Sequence, residues 1–133
     1  MVNSKQVLVM KKFPKALNMP VGKYVSQGAH ASLGAVLKMG KLDEYGDNLI
    51  IPLYNVFVRD WLLGSFTKVT LYVETDEELT ALYHAANSAG LPTALITDSG
   101  RTIFAGVPTM TALGIGPGGS EEIDKITGHL KTF

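Results

Sequence analysis

Cysteine is absent from all 133 residues of this chain, which removes disulfide frameworks, zinc–cysteine sites and thiol nucleophiles together. Long apolar runs are absent as well. The longest uncharged stretch, residues 102–120, is interrupted by glycines, prolines and threonines and cannot form a membrane helix. The N-terminal residues contain lysines but no unbroken apolar segment ahead of a small-residue cleavage site, so no secretory leader is expected and a cytoplasmic location is. The three histidines, His30, His84 and His129, have no ligand-like spacing to one another or to an acid pair, so no metal and no cofactor is expected. A serine-hydrolase elbow, Gly-x-Ser-x-Gly, does not occur.

Acidic residues are missing from the first 41 positions. These carry seven lysines, a charge of +7, whereas residues 42–133 carry twelve acids against five basic residues, a charge of −7. The formal net charge of zero therefore conceals a dipolar sequence, able to offer a basic face to a polyanion such as nucleic acid. The alternative is that the lysines only solubilise the first third. With 46% hydrophobic and 18% charged residues, the chain has the composition of a globular protein, and its length suits one domain spanning residues 1–133.

The stretch MPVGKYVSQGAHASLGAVLKMG, residues 19–40, is the organising helix of this reading. At 100° per residue Val25, Ala29, Leu33, Val36 and Leu37 form an apolar stripe expected to face the core. Lys23, Gln27, His30, Gly34, Lys38 and Lys41 gather on another side, within an arc of roughly 80°. Between them lie the small residues Ser26, Gly28, Ala31, Ser32 and Ala35, as though something approaches the helix closely.

Around this helix the chain reads as alternating elements. Residues 6–12 form a strand with Val7 and Val9 on one face, and a proline-rich loop leads to the helix. Residues 41–66 are an irregular insert ending in a short helix near Arg59, with Trp61 a core or dimer contact in preference to a base-stacking platform. Residues 67–73 alternate as a second strand, and Thr75 with Glu78 forms a capping box that starts a helix at Asp76. TALITD is a third strand ending at Asp98, MTALGIG a fourth, and a last helix begins at Ser120 with Ile123, Ile126 and Leu130 facing inward. This order predicts an α/β domain: a three-layer α/β/α sandwich on a mixed, mostly parallel four-stranded sheet. Sites in such sheets gather beyond the carboxyl ends of strands, here the loop into Lys23 and the loop carrying Asp98, Arg101 and Thr102.

GIGPGG, residues 114–119, matches the dinucleotide fingerprint letter for letter. The chain ends 14 residues later, too soon for the acidic ribose ligand that the fingerprint needs about 20 residues on, so a plain strand-to-helix turn is expected instead. The chemistry left standing is a lysine at a helix start paired with an aspartate at a strand end, suited to polarising a carbonyl, positioning a water or holding a phosphate.

GKYVSQGAHASLGAVLK, KVTLYVETDEEL, AGLPTALITDSGRT and TMTALGIGPGGSEEIDKITGHLK together resemble the type II peptidyl-tRNA hydrolases, in order and over most of the chain outside residues 41–66. The resemblance implies a metal-independent ester hydrolase acting on peptidyl-tRNA, commonly a homodimer. It implies catalytic roles for Lys23, Asp98, Thr102 and Thr111, and substrate contacts from Gln27, His30, Arg101 and Thr109. Lys38 and Lys41 are added from the helix reading as a phosphate-binding track. Ile103 stands where the family usually carries glutamine, and the loop AGVPT is one residue longer than the family's usual Ala-Pro-Gly-Thr. A tRNA- or protein-binding module without turnover is the alternative function.

Overall fold

The computed structural model describes residues 2–101 and 103–133. β1 (Ser4–Lys11) is the central strand, and Val7, Leu8, Val9 and Met10 are all buried because both faces of the sheet are covered. The chain then passes a 3-10 turn, Lys15–Leu17, and enters α1 (Val21–Leu37) behind Pro20. A short antiparallel hairpin, β2 (Lys41–Leu42) and β3 (Leu49–Ile50), precedes α2 (Val56–Asp60) and a π-helical turn, Trp61–Ser65. β4 (Lys68–Val73), α3 (Asp76–Ser88), β5 (Thr93–Asp98), β6 (Thr109–Gly119), α4 (Ser120–Thr127) and β7 (Lys131–Thr132) complete the fold.

The layered α/β arrangement is as expected, with α1 on one face of the sheet and α3 and α4 on the other. Val7, Val9, Leu71, Leu79, Leu113, Ile115 and Ile123 form the larger core cluster, while Leu8, Met10, Ala31 and Ala112 form the cluster under α1. The sheet itself corrects two details. Among the described residues it has five strands, ordered β5-β6-β1-β4-β7, because Lys131 and Thr132 pair with Tyr72 and Leu71; two residues carry no readable period. It is mixed, but β1 with β4 is its parallel pair, and the other three pairings are antiparallel. β6 runs between β5 and β1 against both of them, since a direct loop and not a crossover joins it to β5.

GIGPGG is not a turn but the second half of β6, paired with β1 and buried. Glycine belongs there because α1 lies almost on the strand: a Cβ on Gly114 would stand 2.2 Å from the carbonyl oxygen of Ala31. The small residues of α1 are the other half of that contact. Gln27, Gly28, Ala31, Ala35 and Val36 are its buried residues, whereas Val25, Leu33 and Leu37 are 66%, 60% and 46% exposed. Of the expected inward stripe, Val36 alone is buried and Ala29, Val25, Leu33 and Leu37 face outward. Close packing of helix on sheet admits small side chains and excludes leucine, so the helix is turned relative to the hydropathy reading.

Other local expectations hold. Asn55 caps α2 by accepting from Phe57 and Val58, and Trp61 is fully buried, its indole N–H donating to the Thr67 carbonyl. Thr75 and Glu78 make the capping box, with the Glu78 amide donating to Thr75 Oγ1 and the Thr75 hydroxyl donating to Glu78 Oε1.

Candidate active site

β1 and β5 both run antiparallel to β6, so their carboxyl ends lie at the same edge of the sheet. That edge is where α1 begins, and the site is assembled from three neighbours there: the first turns of α1, the end of β5 and the start of β6. Asp98, the last residue of β5, is opposite Thr109 of β6. Lys23, in the first turn of α1, donates from Nζ to Asp98 Oδ1 at 2.8 Å, and Gln27, one turn further, donates from Nε2 to the same oxygen at 3.2 Å. The backbone N–H of Gly100 donates to Asp98 Oδ2 at 2.9 Å.

Gln27 is 2% exposed and Thr111 fully buried, and the Thr111 hydroxyl donates to Gln27 Oε1. A hydroxyl donating to the amide oxygen leaves the amide nitrogen to face Asp98, so Thr111 fixes which end of Gln27 the carboxylate meets. The lysine beside Asp98 holds its carboxyl below the ordinary 3.8, the Gly100 and Gln27 hydrogen bonds add to this, and partial desolvation opposes it. The carboxylate is therefore ionised throughout the neutral range. Both members of the ion pair remain reachable from outside, with Lys23 18% and Asp98 12% exposed at the side chain.

The loop after Asp98 is tied at its base. Gly100 has φ +84°, a left-handed conformation favouring glycine. A Cβ there would lie 2.3 Å from the Val107 carbonyl oxygen. The Gly106 N–H closes the loop by donating to the Gly100 carbonyl at 2.7 Å. Phe104 is buried, with its ring centroid 5.0 Å from that of Phe13, and the Phe13 N–H donates to the Tyr24 hydroxyl at 2.9 Å. Phe13, Tyr24 and Gly100 were invisible as site residues in the sequence. The Asp-Ser-Gly turn was the one local sign of them.

Comparison with known proteins gives this geometry a family. The family model described as "Peptidyl-tRNA hydrolase PTH2" matches residues 4–133. The chain belongs to the PTH2 family. Similar curated proteins include the peptidyl-tRNA hydrolase of Methanocaldococcus jannaschii, 39% identical over 86% of this chain and 90% of that protein. That of Methanothermobacter thermautotrophicus is 38% identical over 96% and 97%, and that of Methanopyrus kandleri 40% identical over 95% of each.

Within this PTH2 domain the expected site residues separate into three groups. Lys23, Gln27, Asp98 and Thr111 form one connected set. Thr109 borders that set across the strand pair, its hydroxyl donating to the Val107 carbonyl, and Arg101 is exposed on the loop. His30 and Lys38 are exposed on and beyond α1, but Lys41 is not on the helix at all. α1 ends at Leu37 and Lys41 opens β2, so the expected continuous lysine row on one helical face does not form. Thr102 lies outside the described residues. Two further lysines of the basic first third are taken up internally, Lys5 by Asp124 and Lys11 by Asp76. Among the described residues no group of three or more His, Asp or Glu is placed to hold a metal ion, and no helix is long and apolar enough to cross a membrane.

Proposed function

We propose that this chain hydrolyses the ester joining a peptide to the terminal ribose of peptidyl-tRNA, freeing the tRNA for reuse in translation. The observation that carries this reading is the Lys23–Asp98 pair, held by buried Gln27 and Thr111 at the open end of a PTH2-family sheet. In the reaction water attacks the ester carbonyl carbon, the bond to the ribose oxygen breaks, and that oxygen leaves as a hydroxyl while the peptide leaves as a carboxylate. Lys23 stabilises the negative charge that grows on the carbonyl oxygen. Asp98 is a poor proton acceptor, because its carboxyl is held below the ordinary range. Its part is to orient the attacking water or the leaving hydroxyl and to hold the lysine in place. Thr111 supports this set, Thr102 is assigned to the reaction from its place in the family motif alone, and Gln27, His30, Arg101 and Thr109 border the bound acceptor end. Lys38 and Lys41 contribute to tRNA backbone contacts from the far end of α1.

The reading extends to a homodimer working in the cytoplasm, supported by the exposed apolar side of α1 and by the place of translation. The binding-module alternative has less support, since the family match spans the chain and the polar set is intact. The deciding experiment is release of a labelled N-blocked aminoacyl group from tRNA by the purified protein. Blocked substrate should be cleaved faster than unblocked, because a free ammonium beside Lys23 is repelled in a partly desolvated site. Tight tRNA binding without turnover would establish the module instead, and equal rates on both substrates would remove the proposed role of the lysine charge.

A further inference from the structure

Two apolar features of this chain are uncovered, and they match each other. The first is a groove of about 710 Å³ between α1 and the π-turn, floored by Leu8 and Met10 and walled by Val25, Leu33, Trp61 and Phe66. Lys68 stands at its side over the Phe66 ring, 3.3 Å from the centroid, and makes no ion pair among the described residues. Val21, Val25, Ala29 and Leu33 along the groove's rim, continued beyond it by Leu37, repeat at every fourth position and are all exposed. A ridge of that spacing interlocks with a second such ridge.

The second feature is the hairpin of residues 41–50 with the irregular segment leading out of it. β2 and β3 pair with each other, but neither belongs to the main sheet. Leu42, Tyr45, Ile50 and Tyr54 are 67%, 81%, 54% and 89% exposed. A two-stranded hairpin is marginal alone in water, yet this one is shaped carefully: Asp43 accepts from the Asp47 N–H and from the Asn48 amide. Residues 42–58 contain three acids, Asp43, Glu44 and Asp47, and no basic residue. Beyond Lys41 at its root, the arm is therefore ill suited to a polyanion and well suited to an apolar surface with a cation beside it.

We propose that residues 41–50 form an exchange arm, which in a dimer of two copies seats Tyr45 and its apolar neighbours in the other copy's groove with the acids toward Lys68. This rests on the homodimer reading and adds to it what holds the two copies together. A two-fold axis crossing α1 near Ala29 sets the two helices antiparallel. Each arm leaves its own helix at the carboxyl end and therefore comes to lie over the amino end of the other, beside Val21 and Val25. Monomeric proteins seldom expose contiguous apolar patches beyond a few hundred Å². Covering Tyr45 of the arm and Tyr54 just beyond it removes about 150–250 Å² each. Since the contact occurs twice by symmetry, these residues account for about 600–1,000 Å², and the α1 ridges meeting on the axis add the rest of an interface of about 1,600 Å².

The absence of cysteine makes the test direct. Tyr45→Cys and Val25→Cys are prepared as separate proteins, mixed to allow exchange of subunits, and oxidised mildly, with sedimentation run in parallel. The proposal expects a disulfide-linked dimer in the mixture well above that in either protein alone, and at least a tenfold weaker dimer for Tyr45→Ser with Ile50→Ser. A dimer in sedimentation with no cross-link, and no weakening by the serine pair, would overturn the arm while leaving the homodimer reading intact. A monomer at tens of micromolar would overturn both. A Tyr45→Cys/Val25→Cys chain that closes a disulfide within a single monomer would show that the arm covers its own groove, and would overturn the exchange.

Discussion

The two sides of α1 obey opposite rules. Its inner side is made of glycine, alanine, one buried glutamine and Val36 near its end, pressed so closely on β6 that Gly114 has no room for a Cβ. Its outer side carries valines and leucines that touch little of their own chain. The usual arrangement, large apolar side chains inward and small or polar ones outward, is reversed. The inner side shows that distance to the sheet decides which residues are admitted, because the amide of Gln27 must reach Asp98 and a bulkier helix face would hold it away. The outer side shows that hydrophobicity alone does not point to the core of the same chain.

The sharpest way to break this comparison is at the inner, polar end. Lys23→Ala and Asp98→Asn should each lower turnover of blocked aminoacyl-tRNA by about 10²–10³-fold, the scale of losing one preorganised donor or its holder. Full activity in either variant would remove the inner side's chemical role.

Next in size is a contrast in stability. Gly114→Ala forces a methyl against the Ala31 carbonyl and should cost about 1–3 kcal/mol, read as a lower urea midpoint with an unchanged slope. Leu33→Ser on the outer side should change the unfolding of the dilute monomer by no more than about 0.5 kcal/mol. Equal costs would mean that both sides of the helix serve the same core.

Thr111→Val removes the hydroxyl that orients Gln27 and should lower turnover about tenfold, equivalent to one hydrogen bond of ~1.5 kcal/mol. The pH dependence distinguishes positioning from simple structural damage. Because the Asp98 carboxyl is lowered in the folded protein, its contribution to stability is present above the ordinary 3.8 and is lost as pH falls through the lower folded value. The acid limb of activity should likewise lie below 3.8, and in Thr111→Val it should move up toward that value. An unmoved acid limb would reduce Thr111 to packing. The smallest effect is expected at the far end of the helix, where replacing Lys38 and Lys41 together should raise KM for full-length tRNA a few-fold and reduce the salt slope by up to about 2. An unchanged KM would make both lysines solvated surface.

What the sequence disclosed follows from how local each signal is. The capping box at Thr75, the strand of residues 68–73 and the pairing of Lys23 with Asp98 each announce themselves within a few residues or through family motifs, and the structure contains them. The orientation of α1 was illegible because hydropathy ranks leucine above alanine, whereas the packing distance to Gly114 ranks them the other way. The glycine-rich half of β6 read as a turn for the same reason, since strand propensity does not register a helix lying across it. β7 was illegible because two residues, Lys131 and Thr132, are too short to show any alternation.

The Gly106 N–H, donating to the Gly100 carbonyl, closes the loop after Asp98 near its root, and Phe104 is anchored on Phe13. AGVPT, residues 105–109, spans that closure, so a change of length there falls on the segment leading into β6 and not on the Gly100–Asp98 hydrogen bond. Related proteins with other loop lengths should share one carboxylate position while differing in the shape they present above it. The fold thus holds the Asp98 carboxylate at the end of β5 and leaves the chain that enters β6 open to change.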